Sequence, residues 1–184
     1  MKTLLLTGGS SGIGLHTVQL FAEKGWIVFE LSRSGKSTQD VTHIDCDVTD
    51  DESVKQAISE VMQRIDHLDV VINNAGFGIS GPIEYTSTTE AQKQFDVNFF
   101  GAFRLTKAVL PILRKQGRGR IIFTSSVAAD LSIPYQSFYS ASKSALNAMA
   151  LALSNEVREF GIRVSVLMPG DVATGFTDAR EKNI

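Results

Sequence analysis

The stretch that decides the fold is KTLLLTGGSSGIG, residues 2–14. Its first part, Lys2 to Leu6, is a short apolar run of strand length, and the glycines follow at once. Apolar residues at helical spacing then continue up to Gly25, which is a plausible helix stop. The sequence therefore predicts a strand, a glycine-rich turn and a helix.

This glycine-rich turn is a candidate phosphate-binding site. Glycines let the backbone come close to a pyrophosphate, and free N–H groups at a helix start favour an anion. The spacing is G-x-x-x-G-x-G, from Gly8 through Gly12 to Gly14. A turn used only for tight packing would look the same, so the motif alone leaves both interpretations open.

The rest of the chain alternates between strand and helix patterns. The patterns predict strands near 2–7, 26–31, 41–45, 68–73, 119–125 and 162–168, and helices near 12–24, 50–65, 88–115 and 137–160. Pro111 lies within the third helix pattern and should kink or end it. Near-continuous apolar strands alternating with amphipathic helices predict an α/β fold, a doubly wound parallel sheet covered on both faces.

Composition limits the classes of protein. A chain of 184 residues with 43% hydrophobic content is expected to form a single domain over residues 1–184. The net charge is −2 and the basic residues are scattered, which disfavours nucleic acid and anionic membranes as partners. A single cysteine, Cys46, excludes an internal disulfide and fits a reducing cytoplasm. The N-terminus predicts no signal peptide, and no apolar run approaches membrane-spanning length.

Unusual motifs follow four of the predicted strands. They are Asp47-Val48, Asn73-Asn74-Ala75-Gly76, Ser125-Ser126 and Pro169-Gly170. In an open parallel sheet, ligand groups gather just beyond the carboxyl ends of the strands. The sequence therefore predicts a ligand-binding cleft at that edge.

Tyr139 and Lys143 are the candidate catalytic pair. Their i,i+4 spacing in a predicted helix puts both side chains on one face. An ammonium about 4 Å from a phenol, at an effective dielectric of ~20, favours the phenolate by on the order of 4 kcal/mol, roughly three pK units. That suffices to make a tyrosine an acid or base near neutrality. The pair alone is a weak signal, because the pattern occurs by chance on solvated helices.

Together, the motifs closely resemble the classical branch of the short-chain dehydrogenase/reductase family. The matching elements are TGGSSGIG (7–14), Asp47-Val48, NNAG (73–76), Asn98 in VNFFG, Ser126, Tyr139-x-x-x-Lys143 and PGDVAT (169–174). They occur in the family's order over nearly the whole chain. The resemblance implies a Rossmann-like sheet in a single domain. It also implies that the final strand and substrate-covering lid of the family are missing here, leaving an unprotected sheet edge.

The resemblance implies a role for each of four catalytic residues. Tyr139 is the acid/base, and Lys143 lowers its pKa and binds the nicotinamide ribose. Ser126 holds the substrate oxygen. Asn98 is the relay residue, which connects Lys143 to solvent through water. Ordinary alternatives are an interface aromatic for Tyr139, a solvated charge for Lys143, a turn residue for Ser126 and a helix-interior hydrogen bonder for Asn98.

The resemblance also implies the cofactor contacts. In order from the pyrophosphate through the adenine and its ribose to the nicotinamide, they are Gly8, Ser10, Ser11, Gly12, Ile13, Gly14, Asp47, Val48, Asn74, Ala75, Gly76, Tyr139, Lys143, Pro169, Gly170, Val172 and Thr174. After the second strand, Ser32 stands where NAD-preferring enzymes place an acid, and Arg33 can contact a 2′-phosphate. This predicts NADP(H). NAD stays possible, because Glu30 is an acid two residues upstream and Arg33 could be only a solvated charge.

The implied reaction transfers a hydride between NADP(H) and an alcohol or carbonyl of a hydrophobic small molecule. NNAGFGISGPIE (73–84) looks like the branch that contains hydroxysteroid and retinol dehydrogenases. His16, His43 and His67 lie at unrelated places, so no metal site is predicted. Two other interpretations remain open: a dinucleotide-binding sensor or scaffold without turnover, and a sugar-nucleotide epimerase or dehydratase. The three residues between Gly8 and Gly12 disfavour the last.

The last predicted helix carries two apolar stripes. The small one is Ala141, Ala145, Ala148 and Ala152, and the large one is Leu146, Met149, Leu153 and Val157. A helix that covers one sheet face needs only one stripe. The preceding helix has a similar excess at Phe95, Phe99, Phe103 and Val109. The resemblance implies a homodimer or homotetramer through these helices, and the alternative is that both stripes are buried within one subunit.

Overall fold

The computed structural model describes residues 1–172 and 181–182, and it is built around one parallel sheet. The strands are β1 (Thr3–Thr7), β2 (Ile27–Ser32), β3 (Val41–Asp45), β4 (Val70–Asn73), β5 (Ile79–Ser80), β6 (Gly119–Thr124), β7 (Ile162–Leu167) and β8 (Glu181–Lys182). Six of them form the main sheet in the order β3-β2-β1-β4-β6-β7, and every pairing is parallel. Strands β5 and β8 pair separately.

Within the described residues, five α-helices accompany the sheet. They are α1 (Gly12–Glu23), α2 (Asp51–Arg64), α3 (Thr88–Phe95), α4 (Ala102–Gln116) and α5 (Ser137–Glu156). Local chemistry explains several helix ends. The Asp50 carboxylate accepts from two N–H groups at the start of α2, Ser87 and Glu90 form a capping box on α3, and Gly117 ends α4 at φ 67°. None of the helices within the described residues is long and apolar enough to cross a bilayer.

The six main strands and four helical regions predicted from the sequence are present, with ends shifted by one or two residues and, for the last helix, by four. Of the two outcomes predicted for Pro111, an end of the helix is wrong, because α4 continues to Gln116; a kink there stays a prediction. The region 88–115 is also not one regular helix, since the π-helical turn Asp96–Gly101 separates α3 from α4. Strands β5 and β8 were not predicted.

Apolar side chains form a cluster on each face of the sheet. The larger cluster joins the strands to α2, α4 and α5, and the smaller one joins them to α1. From β1 the chain adds β2 and β3 toward one edge of the sheet. From β4 it adds β6 and β7 toward the other edge. The strand order thus reverses between β1 and β4, and such a switch point opens a cleft at the carboxyl ends of the strands.

Candidate active site

Tyr139 and Lys143 lie in the first two turns of α5, and the fold buries both. Tyr139 is 8% exposed and Lys143 is 4% exposed. The Lys143 Nζ lies 5.8 Å from the centre of the Tyr139 ring. The i,i+4 spacing therefore brings the ammonium beside the phenol ring inside the protein and not on a solvated surface.

Lys143 is buried beside the end of β6. Its Nζ donates a hydrogen bond to the carbonyl oxygen of Thr124, the last residue of β6, at 2.8 Å. Burial lowers the pKa of the Lys143 ammonium to about 8, because the charged form loses its hydration. The ammonium is therefore the major form at neutral pH, and the neutral amine takes over above about pH 8.

Asn98 lies in the π-helical turn and is buried. Its Nδ2 donates to the Phe77 carbonyl oxygen at 3.0 Å and to the Ser142 Oγ at 3.1 Å, and its Oδ1 accepts from the Phe77 N–H at 3.0 Å. Ser142 in turn donates to the Tyr139 carbonyl oxygen at 2.8 Å. Asn98 thereby ties the segment that follows β4 to the start of α5.

Gly76 marks where Asn98 and Lys143 converge. A Cβ atom built on Gly76 would lie 3.2 Å from the Asn98 Oδ1 and 3.5 Å from the Lys143 Nζ. Both polar groups therefore border the end of the NNAG segment, as the predicted cleft requires. The water relay assigned to Asn98 by resemblance stays a prediction.

Ser126 follows β6 and begins the 3₁₀ turn Val127–Ala129. Its Oγ accepts a hydrogen bond from the Ala128 N–H at 3.1 Å, which leaves the hydroxyl proton available to another acceptor. The Val127 N–H donates to the Pro169 carbonyl oxygen at 3.1 Å. Ser126 therefore sits at the carboxyl edge of the sheet, beside the segment that follows β7.

The glycine turn closes tightly between β1 and α1. Gly8 and Gly12 adopt positive φ angles of 71° and 52°, which side chains other than glycine rarely adopt. A Cβ atom on Gly14 would overlap the Gly8 carbonyl oxygen. In the described part of the chain, the side chain of the N-cap residue Ser11 caps none of the α1 N–H groups. The turn, with Ser10, Ile13 and these N–H groups, is thus shaped to receive an anion.

Asn74 and Ala75 hold the turn against the end of β4. The Asn74 Nδ2 donates to the carbonyl oxygens of Thr7 and Gly8 at 3.2 and 3.1 Å. The Thr7 Oγ1 accepts from the N–H groups of Asn74 and Ala75, each at 3.1 Å. A Cβ atom on Gly8 would lie 2.9 Å from the Ala75 Cα. Since Gly76 follows directly and borders Lys143, the NNAG segment joins the turn to the candidate catalytic pair.

The ends of β2 and β3 supply a further polar group and a charge. Among the described residues, the buried Ser32 Oγ has no hydrogen-bond partner. Arg33 is exposed. Burial opposes ionisation of Asp47, yet hydrogen bonds from Thr49 and the charges of Arg33 and Arg104 lower the pKa of its carboxyl. Arg33 is therefore close enough to act electrostatically on Asp47. An unpartnered hydroxyl and an accessible guanidinium fit the adenosine end of a dinucleotide.

The remaining predicted contacts fall on three other segments. Val48 is buried and packs against Gly101 in the π-helical turn. Gly170 has open space where a Cβ would be, and Val172 is 45% exposed. Thr174 lies outside the described residues.

The histidines have ordinary partners in three different places. His16 bonds to the Gly12 carbonyl oxygen, His43 contacts Glu30, and His67 contacts Asp69. No group of three or more metal-ligating side chains occurs among residues 1–172 and 181–182.

Sequence reasoning missed several groups that build the site. Thr124 acts through its backbone oxygen, which no side-chain pattern reports. Thr7 and Ser142 are conspicuous only once the strand ends are close in space. Glu30 was noted only as a possible ribose contact, although an acid in the otherwise apolar run of β2, IVFELS, indicates a buried partner.

The comparisons agree with this geometry. The profile of the family described as short chain dehydrogenase matches residues 2–184. The chain is 45% identical over 180 residues to a 3-ketodihydrosphingosine reductase of Bacteroides thetaiotaomicron, a match that covers 97% of this chain and 67% of that protein. It is 37% identical over 190 residues to human retinol dehydrogenase 8, covering 95% of this chain and 60% of that protein.

Solved structures share the fold. A short-chain dehydrogenase from Streptomyces avermitilis superposes with a TM-score of 0.91 at 33% identity, covering 98% of this chain and 70% of that one. An alcohol dehydrogenase from the archaeon Thermococcus sibiricus, in complex with 5-hydroxy-NADP, gives a TM-score of 0.89 at 29% identity, covering 98% and 81%. With the family profile matching almost every residue, the chain belongs to the short-chain dehydrogenase family.

Proposed function

We propose that this chain is an oxidoreductase that works on an alcohol or carbonyl group of a hydrophobic small molecule, with NADP(H) as cofactor and Tyr139 as acid/base. One observation carries the proposal. The buried Lys143 ammonium lies beside the Tyr139 ring, and the NNAG segment connects it to a glycine turn shaped for a pyrophosphate.

The dinucleotide would supply or accept the hydride, and the chain's own residues would manage binding and the proton. The turn N–H groups at the start of α1 would bind the pyrophosphate. Ser126 would donate its free hydroxyl proton to the substrate oxygen and stabilise the charge that develops there. Tyr139 would give its phenol proton to that oxygen in reduction, or accept one in oxidation. Lys143, as an ammonium at neutral pH, would favour the phenolate of Tyr139.

The cofactor preference rests on Arg33 and Glu30. Arg33 is exposed at the end of β2, where its guanidinium is accessible to a 2′-phosphate. Glu30 is buried, and its oxygens are engaged by the Gly9 N–H and by His43. It is therefore poorly placed to accept from a ribose 2′-hydroxyl, which favours NADP(H) over NAD.

The substrate proposal rests on the apolar surroundings of α5. A mostly apolar group of residues packs together beside the helix start, without room for a water molecule between them: Ile79, Gly81, Ile83, Thr86, Tyr135, Ser137 and Phe138. Leu131 and Ile133, in the segment before α5, are 71% and 37% exposed. Phe138 is the chain neighbour of Tyr139, and Leu131 and Ile133 lie between Ser126 and Tyr139 in the sequence, so these apolar groups favour a hydrophobic substrate. The similarity to a reductase named for 3-ketodihydrosphingosine makes a ketone a good first choice.

Assembly and location are part of the same proposal. The alanine stripe of α5 is largely at the surface, with Ala141, Ala148 and Ala152 exposed and Leu151 beside them 68% exposed. The large stripe is mostly in the core, so the small stripe is the one left to pack against another subunit. We therefore favour a homodimer or homotetramer. A cytoplasmic location fits the free, buried thiol of Cys46.

The test is carbonyl-dependent loss of the NADPH absorbance band, measured over a panel of hydrophobic ketones and aldehydes. Tyr139→Phe should lower the rate at least about 100-fold, because it removes the proton donor, and it should weaken NADPH binding far less than the rate. Tyr85→Phe, at a tyrosine that is 63% exposed, is the matched control and should keep most of the rate. Full activity of Tyr139→Phe would overturn the mechanism. NADPH binding without turnover on any carbonyl would favour the sensor or scaffold interpretation.

A further inference from the structure

A buried carboxylate lies directly beneath the glycine turn. Glu30 is 3% exposed, and it shares its sheet face with Val28, which packs in the cluster around α1. Its two oxygens have different partners. Oε1 accepts the Gly9 N–H at 3.0 Å, and Oε2 lies 2.5 Å from the His43 Nδ1 on β3. Nothing in the proposed catalytic steps uses this pair.

The geometry around His43 suits the protonated imidazole. Its Nδ1 faces Glu30, and its Nε2 lies 3.0 Å from the Asp45 Oδ1. A neutral imidazole has one N–H donor and can satisfy only one of the two carboxylates, whereas the imidazolium donates to both. Burial by itself would lower the pKa of His43, but the hydrogen bonds and charges of Glu30 and Asp45 outweigh it and raise that pKa.

The pair is packed between two loops. A Cβ atom on Gly9 would overlap the Glu30 side chain, and a Cβ atom on Gly35 would overlap both Glu30 and His43. The backbone N–H of His43 also donates a hydrogen bond to the Ser37 Oγ at 3.0 Å. The loop after β2, which begins with Arg33, and the glycine turn after β1 thus rest on the same ion pair.

Few other charges face this pair. The Asp45 side chain is 91% exposed, so its charge is well hydrated. Burial raises the pKa of the neighbouring Cys46 thiol to about 11, so it stays neutral near physiological pH. From α1, the apolar Val18 approaches Gly9. Protonated His43 therefore cancels the charge of Glu30, and loss of that proton leaves a buried negative charge under the turn.

We propose that Glu30 and His43 are positioning residues for the dinucleotide-binding turn, the carboxylate fixing Gly9 and the imidazolium cancelling the carboxylate's charge. The inference rests on the dinucleotide binding in the proposed function and extends it. When rising pH removes the His43 proton, the remaining carboxylate repels the pyrophosphate that the turn N–H groups bind. Dinucleotide affinity therefore falls as pH rises through the pKa of His43.

The test is direct NADH binding to the whole chain, by calorimetry or fluorescence, between pH 6.5 and 9. NADH is the probe because it lacks the 2′-phosphate, which would itself titrate. The unmodified chain should lose affinity roughly three- to tenfold over this range, because the repulsion from one added unit charge is weakened by the protein, solvent and salt. His43→Gln should bind weakly with a flatter pH profile. Glu30→Gln keeps an acceptor for Gly9 without the charge, and it should bind tightly with a flatter profile.

His67→Gln is the matched control. His67 also contacts a carboxylate, Asp69 at 3.3 Å, but it lies before β4, at the amino ends of the strands, whereas the glycine turn lies at their carboxyl ends. This variant should keep the pH profile of the unmodified chain. Deprotonation of Lys143 occurs in every variant alike, so differences between variants isolate the pair.

A second measurement uses the unmodified chain and needs no variant to fold. By linkage, a ligand whose affinity depends on His43 protonation must raise the His43 pKa by the same factor. An NMR titration of the imidazole with and without NADH should show this shift, which a merely structural pair would not. NADH binding with a His43 pKa that does not move, or a His43→Gln profile equal to that of the unmodified chain, overturns this inference alone. If NADH binds too weakly to measure, NADPH takes its place in the same titrations, and binding of neither dinucleotide at any pH refutes the proposed function and this inference with it.

Discussion

Lys143→Met should make this protein more stable while removing its activity. The ammonium of Lys143 is almost fully buried, and its one described hydrogen bond is to the Thr124 carbonyl oxygen at 2.8 Å. Methionine has a similar length and no charge, so it can fill the same space without needing hydration. The substitution therefore separates what the lysine does for catalysis from what it costs the fold.

The size of the effect follows from the pKa of Lys143. Burial lowers it from 10.5 to about 8, and at 1.36 kcal/mol per pK unit this corresponds to about 3 kcal/mol of destabilisation at neutral pH. Leaving the Thr124 carbonyl oxygen without a hydrogen-bond donor destabilises the variant by about 1–2 kcal/mol. The net gain is about 1–2 kcal/mol, or a rise in Tm of roughly 2–8 °C for a chain of this size.

The assay is urea and thermal unfolding at pH 7 and at pH 9–10. Because the folded pKa of Lys143 lies below the unfolded one, the unfolded chain binds more protons between about pH 8 and 10.5, so stability should rise with pH there. Lys143→Met should lack that rise. Lys55→Met, at a lysine whose side chain is 65% exposed, is the control and should change stability by less than about 0.5 kcal/mol. A Lys143→Met variant that is less stable than the unmodified chain at pH 7, or whose stability still rises fully between about pH 8 and 10.5, refutes the argument that burial of the ammonium destabilises the fold.

Two further predictions concern the cofactor and the assembly. Arg33→Ala should raise the Michaelis constant for NADPH about tenfold and change that for NADH little, because a charge-assisted contact to the 2′-phosphate is lost. Arg118→Ala, exposed before β6, should change neither, and equal effects of Arg33→Ala on both dinucleotides would contradict the assignment. Leu151→Glu should yield monomers in sedimentation, because it puts a carboxylate on the exposed face of α5. Leu20→Glu, at a residue 50% exposed on α1, should not, and an unmodified chain that sediments as a monomer would exclude the oligomer.

Much of the fold was predictable because local patterns and the overall topology agree. Apolar runs marked the six main strands, and the motifs at their ends indicated one edge of the sheet before any strand order was known. The Tyr139–Lys143 pair was predictable for a related reason, since helical spacing alone puts both side chains on one face. The burial of the pair was not predictable, because a lysine in an alanine-rich helix is equally typical of a surface position.

Other features depend on contacts distant in sequence. The hydrogen bonds between Asn98 and Phe77 span 21 residues, and those between Asn74 and Thr7 span 67. The π-helical turn was not predicted, because the pattern of apolar residues is too coarse to show one extra residue in a single turn of a helix. Glu30 drew notice only as a possible ribose contact, since its partner His43 sits on another strand. The ion pair emerged only from the register of β2 on β3, which sets these two residues opposite each other.

The turn Asp96–Gly101 has a consequence for how this chain tolerates changes in length. A π-helical turn holds one residue more than the α-helix it interrupts. Deleting one residue there could be absorbed by conversion to ordinary helix, so α3 and α4 would keep their own contacts with the rest of the protein. What would be lost is the backbone position from which the Asn98 amide reaches Phe77 and Ser142. The extra residue therefore contributes to the cleft and not to the packing of α3 and α4, and a variant shortened there should fold without these Asn98 hydrogen bonds.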